Sequence, residues 1–393
     1  MDQLAERKLE VQSPVERARS LSNAIAAAAD EIEATQEIPE PLLSDIFRLG
    51  LFRLLLPRSV EGEEAHPVDY LDALMEVARQ DGSVAWNMFV ANSATLIAPF
   101  LPLETARTIW ADPRTVICWG PPNACRLQAV PGGYLVDGEW DFASCSRQAT
   151  WTGAHAQVVE ADGSLRLNEH GRPHTRSVLF PKAEAKFLNR WNPIGLKGTC
   201  SDSYRVEGLF VPEAFSGTRE APEIRRDPGP LYAIVMQGLY AVGVAGVALG
   251  LAESMLAAFK DLARAKTPRG RGRLADDATT QADFARAEAK LGAGYAYLAA
   301  VLNDVYDRAD EWAPIGFDDR ARLRLACSWA IQGAIEVADW THRAAGVSAI
   351  FPGSPFERRF RDMHTLSQQM QSRLAHFEQV GQVLIGEPPP VFY

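Results

Sequence analysis

Arginine, aspartate and histidine crowd one short stretch near the C-terminal end of the chain, Glu357-Arg358-Arg359-Phe360-Arg361-Asp362-Met363-His364. On a helix, the spacing of three from Arg361 to His364 predicts one shared face, with Arg358 following it a turn earlier. An imidazole titrates near neutrality, so His364 could act as a general acid or base, although a lone helical histidine is more often a surface or packing residue. Far upstream, Trp140-Asp141-Phe142-Ala143-Ser144 sets aromatic rings and a hydroxyl along one segment. A planar ligand ring needs such apolar walls and a few polar groups at its edge. By itself the segment reads as a strand alternating between core and surface. Arg269-Gly270-Arg271-Gly272-Arg273 is a third candidate. Guanidinium groups on a glycine-loosened loop can clamp a phosphate, and a solvated flexible loop fits equally well.

Other chemistries are poorly supported. His170 and His174 stand four apart, but Gly171 and Pro173 between them exclude the helix that a zinc pair would need. The sequence contains no G-x-G-x-x-G, no Walker loop and no G-x-S-x-G elbow. A formal charge of −10 over 393 residues leaves no cationic excess for nucleic acid. The five cysteines form no CxxC pair, which suits reduced thiols, and the charged first residues lack an apolar core for a secretory signal. A cytoplasmic protein is the expectation. Leu231 to Ala252 is apolar enough to span a bilayer and carries Gly246-xxx-Gly250. Charged helices follow it, so it is expected to be a helix buried inside the protein rather than in a membrane.

The elements that must position these residues fall into three blocks. Ser13-Pro14-Val15-Glu16 forms a capping box that opens a helix to about Ala34. Pro39 and Pro41 break that run before a helix from Leu42 to about Gly50. Helices are then expected over Val68 to Arg79, from Asp81-Gly82-Ser83 through Trp86 and Phe89, and over Leu103 to Trp110. After Pro113 the pattern becomes β. Pro131-Gly132-Gly133 is a turn, Tyr134-Leu135-Val136 before Asp137-Gly138 reads as strand and hairpin, and Ala154–Val159, Ser177–Phe180 and Tyr204–Val211 are further strands. A Pro- and charge-rich linker from Ala221 to Pro230 precedes four long helices, about 231–266, 278–310, 318–345 and 355–386.

In this order the chain resembles the acyl-CoA dehydrogenase superfamily of flavoproteins. The residues that carry the resemblance are Gly138 to Ser144, the segment Trp191-Asn192-Pro193-Ile194-Gly195-Leu196-Lys197-Gly198-Thr199-Cys200-Ser201, and the Ala345-Gly346 turn before the Ser354–His364 helix. The resemblance implies an α+β fold: a helical N-terminal domain over 1–113, a middle β-barrel domain over 114–220 and a C-terminal four-helix bundle over 221–393. It also implies a bound FMN or FAD. Ser144 would then hydrogen-bond near flavin N5, with Phe142 and Trp151 walling the ring and Trp140 and Ser146 on the same cofactor-binding stretch. One of Arg269, Arg271 and Arg273 would meet the flavin phosphate, often across a subunit boundary, and Gly346 would belong to the cofactor site. Ser201 is a flavin or domain-interface candidate. A homotetramer is implied as well. Monooxygenase-like relatives usually carry glycine after the serine, where this chain has Cys145.

Two reactions are open to such a fold. An acyl-CoA dehydrogenase needs a carboxylate base, and its two usual positions fall here on Met370, with Gln371 beside it, and on Tyr240. Asp81-Gly82-Ser83-Val84-Ala85-Trp86 and Ser354-Pro355-Phe356-Glu357-Arg358 are instead similar to the branch of two-component flavin monooxygenases, which includes p-hydroxyphenylacetate and dibenzothiophene monooxygenases. Those enzymes take reduced flavin from a separate reductase and form a C4a-hydroperoxide with oxygen. The resemblance therefore implies oxygenation of a small aromatic or heterocyclic substrate, with His364 in proton transfer. A second histidine often follows in that branch where this chain has Gln369, and the helix near Asn87 and Asn92 lacks the histidine some members carry. A dehydrogenase with a relocated base and a non-catalytic protein of the same fold are the alternatives.

Overall fold

The computed structural model describes residues 12–121, 125–168, 171–218, 224–387 and 389, so His170 and part of the expected linker lie outside the described residues. The capping box is present: the Ser13 hydroxyl accepts from the Glu16 N–H at 3.3 Å and the Glu16 carboxylate accepts from the Ser13 N–H at 2.8 Å. It opens α1 (Pro14–Ser20), and the run continues after Leu21 as α2 (Ser22–Thr35). The helices α3 (Glu40–Arg48), α4 (Pro67–Ala78), α5 (Gly82–Thr95) and α6 (Leu103–Trp110) complete the first block.

The middle block is one eight-stranded mixed sheet of β1 (Ile117–Trp119), β2 (Arg126–Val130), β3 (Gly133–Ala143), β4 (Trp151–Val159), β5 (Thr175–Pro181), β6 (Lys186–Phe187), β7 (Asp202–Pro212) and β8 (Ser216–Gly217). Its hydrogen-bonded path runs β6-β7-β3-β2-β4-β5-β8, with β1 and β2 sharing one edge of β4 in parallel. Gly132 makes the expected turn between β2 and β3. Asp137-Gly138 is no turn, because β3 runs straight through it. Gly138, at φ 151°, marks a slip in register against β7 and carries the strand on to Ala143. That extension delivers Ser144 to the end of the sheet.

Three long helices follow: α7 (Met236–Ala265), α8 (Ala278–Asp307) and α9 (Phe317–Ala345). Helix α7 has the length and apolarity of a membrane span, and 78% of its most apolar window is buried inside the protein. Glycines bring it close to its neighbours: a Cβ on Gly243 would sit 2.1 Å from the Phe89 ring, and one on Gly250 would sit 2.4 Å from the Met75 carbonyl. The expected fourth helix is broken. It forms α10 (Glu357–Leu366) and α11 (Ala375–Ile385), with a short 3₁₀ turn at Met370–Ser372 between them. Polar side chains in the gap bond the backbone in place of helix: the Gln369 side chain accepts from the Gln371 N–H at 2.6 Å and the Ser372 hydroxyl donates to the Leu366 carbonyl at 3.1 Å. From α9, Gln332 donates to the Ser372 carbonyl at 2.6 Å and the buried Arg324 hydrogen-bonds the Gln371 side chain.

Candidate active site

The three blocks meet where β3 ends, beside the N-terminal half of α5 and the 189–201 loop. Asp81 caps α5, its carboxylate accepting from the Val84 N–H at 2.9 Å. The first turns of that helix then grip the loop: Ser83 Oγ accepts from the Gly198 N–H at 3.2 Å and Asn87 donates to the Gly198 carbonyl at 3.0 Å. Across the junction the Cys145 N–H bonds the Thr199 carbonyl at 3.0 Å and Ser146 Oγ bonds the Cys200 carbonyl at 2.6 Å. From α10, the Asp362 carboxyl accepts from the Leu196 N–H at 2.6 Å, and Arg361 donates to the Ile194 carbonyl at 2.7 Å.

Ser144 lies at the centre of these contacts. Trp86 Nε1 donates to its Oγ at 3.2 Å, and Ser201 Oγ stands 2.6 Å away. Ser201 Oγ is 2.7 Å from Thr199 Oγ1, which donates to the Leu196 carbonyl at 2.8 Å. All four side chains are buried, with a sliver of Trp86, Ser144 and Ser201 still accessible. The backbone around them is strained. Phe142 (φ 61°) and Cys145 (φ 69°) bracket Ser144, and Leu196 (φ 51°) and Cys200 (φ 37°) bracket the facing turn. A left-handed conformation costs a non-glycine residue on the order of 1–3 kcal/mol, and such strain concentrates at functional sites. Cys145 thus makes with strain the turn that a glycine would make freely. Burial pushes its thiol well above the usual range, and it donates to the Asn87 carbonyl at 3.2 Å.

The sequence candidates separate into two groups and three outliers. Ser144, Ser146, Ser201 and Phe142 come together here. Phe142 is 62% exposed, its ring edge-on to Trp191 at 6.5 Å, so it presents an apolar face at the mouth of the serine cluster. Trp140, expected beside a cofactor, is wholly buried in the sheet. It stacks on Tyr204 at 5.4 Å and donates to the His155 carbonyl at 3.0 Å. Plain alternation would put Trp140 and Ser144 on one face, but the register slip between Trp140 and Ala143, with Phe142 at φ 61°, breaks that alternation before Ser144. Trp151 stacks on Phe215 at 5.9 Å.

The second group gathers around Lys266. Its ammonium donates to the Ala345 carbonyl at 2.6 Å and to Ser348 Oγ at 2.9 Å, tying the Gly346 turn (φ 58°) to the foot of the arginine loop. Arg269, Arg271 and Arg273 are all exposed, and Arg273 is engaged by Asp276 at 2.7 Å. Among the described residues none of the three hydrogen-bonds the Ser144 cluster.

His364 and Arg361 have different partners. Each step of three advances a helix by 300°, so the row drifts by 60° per step: Arg358 and Arg361 still reach one partner, while His364, two steps and 120° from Arg358, meets a different helix. Arg361 and Arg358 turn to α2, reaching Glu33 at 2.7 and 2.6 Å. Burial alone would lift the Glu33 carboxyl, but hydrogen bonds from Arg361 and Arg358 overturn that and hold it down at about 2. His364 turns instead to α9, its Nε2 lying 3.0 Å from Asp339 without the alignment of a hydrogen bond. Phe360 packs against both His364 and the α9 residue His342. Burial, and then the neighbouring His364, lower the pKa of His342. On the opposite side of α10, burial pushes the Asp362 carboxyl up to about 7, and the nearby Asp81 carboxyl adds to the shift.

Trp86 and Thr199 are the members of the serine cluster that sequence reasoning did not single out. A buried indole N–H requires an acceptor, which is the one local signal for Trp86. The dehydrogenase base has no replacement where one would be sought. Tyr240 packs edge-on against Phe89 at 4.5 Å, Met370 lies in the 3₁₀ turn, and Glu253 is ion-paired to Arg79 at 2.7 Å. A cavity lined by Val235, Ile315, Leu323 and Arg324 lies within the C-terminal helices and includes none of these groups.

Comparison with known proteins agrees with this architecture. The models of the acyl-CoA dehydrogenase N-terminal and C-terminal domains match residues 12–102 and 242–372, together over half of the chain. The indole-3-acetate monooxygenase of Acinetobacter baumannii is 26% identical over 93% of this chain and 92% of its own. The oxygenase subunit HsaA of the flavin-dependent monooxygenase of Rhodococcus jostii is 25% identical over 89% of this chain and 92% of its own. Among solved structures, XiaF from Streptomyces sp. in complex with FADH2 superposes with a TM-score of 0.87 at 22% identity, covering 99% of this chain and 98% of that one. The chain belongs to the acyl-CoA dehydrogenase family, among relatives that are oxygenase components of flavin-dependent monooxygenases.

Proposed function

We propose that the protein is the oxygenase component of a two-component flavin monooxygenase, taking reduced FAD or FMN from a separate reductase and hydroxylating a small aromatic or heterocyclic molecule. The observation that carries this reading is the serine cluster. A buried, hydrogen-bonded Ser144 lies at the edge of a closely packed junction beside the outward ring of Phe142, while both positions of a dehydrogenase base hold other residues. These groups fit a flavin: Phe142 and Trp191 supply apolar surface for its ring, and Ser144 supplies a polar contact for its N5 edge. Reduced flavin supplies two electrons to oxygen, so that one oxygen atom enters the substrate and the other leaves as water.

The chain's own residues have three tasks. Ser144 orients the ring, the packed junction keeps water from the reacting edge, and His364, steadied by Asp339, holds or moves a proton during oxygen transfer. Gly346 and the arginine loop, joined through Lys266, form the phosphate-binding side. The protein assembles as a cytoplasmic homotetramer in this reading, and the exposed apolar Val347, Ile350 and Phe351 support a subunit boundary beside that side of the site.

The test mixes protein and anaerobically reduced flavin with oxygenated buffer in a stopped-flow instrument. A near-ultraviolet transient preceding the oxidised spectrum supports an oxygenase. Reoxidation at the rate of free flavin, together with bleaching of the oxidised protein by an acyl-CoA, would sink the proposal in favour of a dehydrogenase.

A further inference from the structure

The hydrogens of the Ser144 cluster can be assigned by counting. A carbonyl oxygen has no hydrogen to give, so at 2.8 Å Thr199 must be the donor to the Leu196 carbonyl. Its only hydroxyl hydrogen is then spent, and the 2.7 Å contact between Thr199 and Ser201 must be bridged by the Ser201 hydrogen. The same reasoning makes Ser144 the donor across the 2.6 Å contact to Ser201. At the other end the indole N–H of Trp86 can only donate, and it does so to Ser144 Oγ. The chain therefore runs in one direction, from Trp86 through Ser144, Ser201 and Thr199 to the Leu196 carbonyl. Ser144 has no hydrogen left for a ligand, and what it can still offer is a lone pair.

Flavin N5 reverses its hydrogen-bonding character with redox state. In the reduced ring it carries a hydrogen and donates; in the oxidised ring it is an acceptor. We propose that the Trp86–Ser144–Ser201–Thr199 chain fixes Ser144 as an acceptor and thereby makes this site select reduced over oxidised flavin. Ser201 and Thr199 act as positioning residues: they do not touch the ring but decide which way the Ser144 hydrogen points. This inference rests on the placement of Ser144 at flavin N5 proposed above. It adds the origin of the site's redox preference. An oxidised ring would place two acceptors face to face, or force Ser144 to give up its bond to Ser201.

The experiment is equilibrium binding of reduced flavin, under anaerobic conditions, and of oxidised flavin to the full chain, read as the ratio of the two Kd values. Thr199→Val removes the end of the chain at nearly constant volume, freeing the Ser201 hydrogen and then that of Ser144. One net hydrogen bond corresponds to a fall of about tenfold in the preference for reduced flavin, or about 30 mV in the midpoint potential of the bound flavin. Thr199→Ser keeps the hydroxyl and should keep the ratio. Ser201→Ala breaks the chain one link nearer and should lower the ratio as Thr199→Val does. It provides a second reading if the valine variant folds poorly. If Ser144→Ala lowers the ratio while neither Thr199→Val nor Ser201→Ala does, the directional chain is overturned and Ser144 remains at the flavin. If Ser144→Ala also leaves the ratio unchanged, Ser144 is not at N5, and the inference falls together with that placement.

Discussion

Single residues divide here into those that hold the site and the one proposed to transfer a proton. His364 was legible as a titratable group on an Arg-rich helix. Its neighbours were not, because which helix a side chain meets depends on tens of degrees of rotation that spacing alone does not fix. Its imidazole lies 3.0 Å from Asp339, where the proton transfer proposed above would place it, and it makes no hydrogen bond to the Ser144 cluster. His364→Ala is therefore expected to cut coupled product formation by roughly a hundredfold, the usual weight of a general acid or base. The Kd for reduced flavin should not change. Unchanged turnover in a single-turnover assay would remove His364 from the mechanism. Trp86 teaches a complementary lesson: the partner of its indole lies 58 positions away, and no local pattern points to it.

Among elements, helices and strands with strong local punctuation were legible, and those decided by tertiary contacts were not. The Ser13–Glu16 box and the turn at Gly132 are local, and both stand where the sequence puts them. The break after Leu366 is set by Gln332 and Arg324 reaching over from α9. No periodicity within 355–386 reveals them. Helix α7 offers a direct test of close packing. In Gly250→Ala the new methyl would meet the Met75 carbonyl at 2.4 Å and the Ala78 Cβ at 2.7 Å. Overpacking of this kind costs about 1–3 kcal/mol, more than the ~1 kcal/mol that alanine gains over glycine in a helix. Urea denaturation should show a net loss. Gly292→Ala on α8 meets nothing within 4 Å and should gain stability. Equal responses of the two variants would discount the packing argument.

For the molecule as a whole, the three-part plan was readable from composition shifts, but the place where its parts lock together was not. Asp362 on α10 bonds Leu196, 166 positions earlier, close to the capping carboxylate Asp81 at the start of α5. Burial raises the Asp362 carboxyl to about 7, against ~3.9 in an unfolded chain. The folded state thus retains a proton that the unfolded state has lost. Its stabilising effect is complete below about pH 4 and disappears as pH rises through about 7. Asp362→Asn keeps an acceptor for the Leu196 N–H and cannot ionise. It is expected to flatten the loss of stability across that window in urea titrations, and an unaltered pH slope would refute the assignment.

The four left-handed residues around Ser144 have a consequence for anyone improving this protein. Cys145→Gly or Leu196→Gly would relax a strained backbone, but the freer unfolded chain would absorb much of that gain. Melting temperature would then barely register either change. Yet both residues fix the angles at which the serine cluster is presented, so a screen scored on heat resistance alone would accept variants whose cofactor fit had drifted. Selection for robustness here needs a flavin-binding readout alongside it.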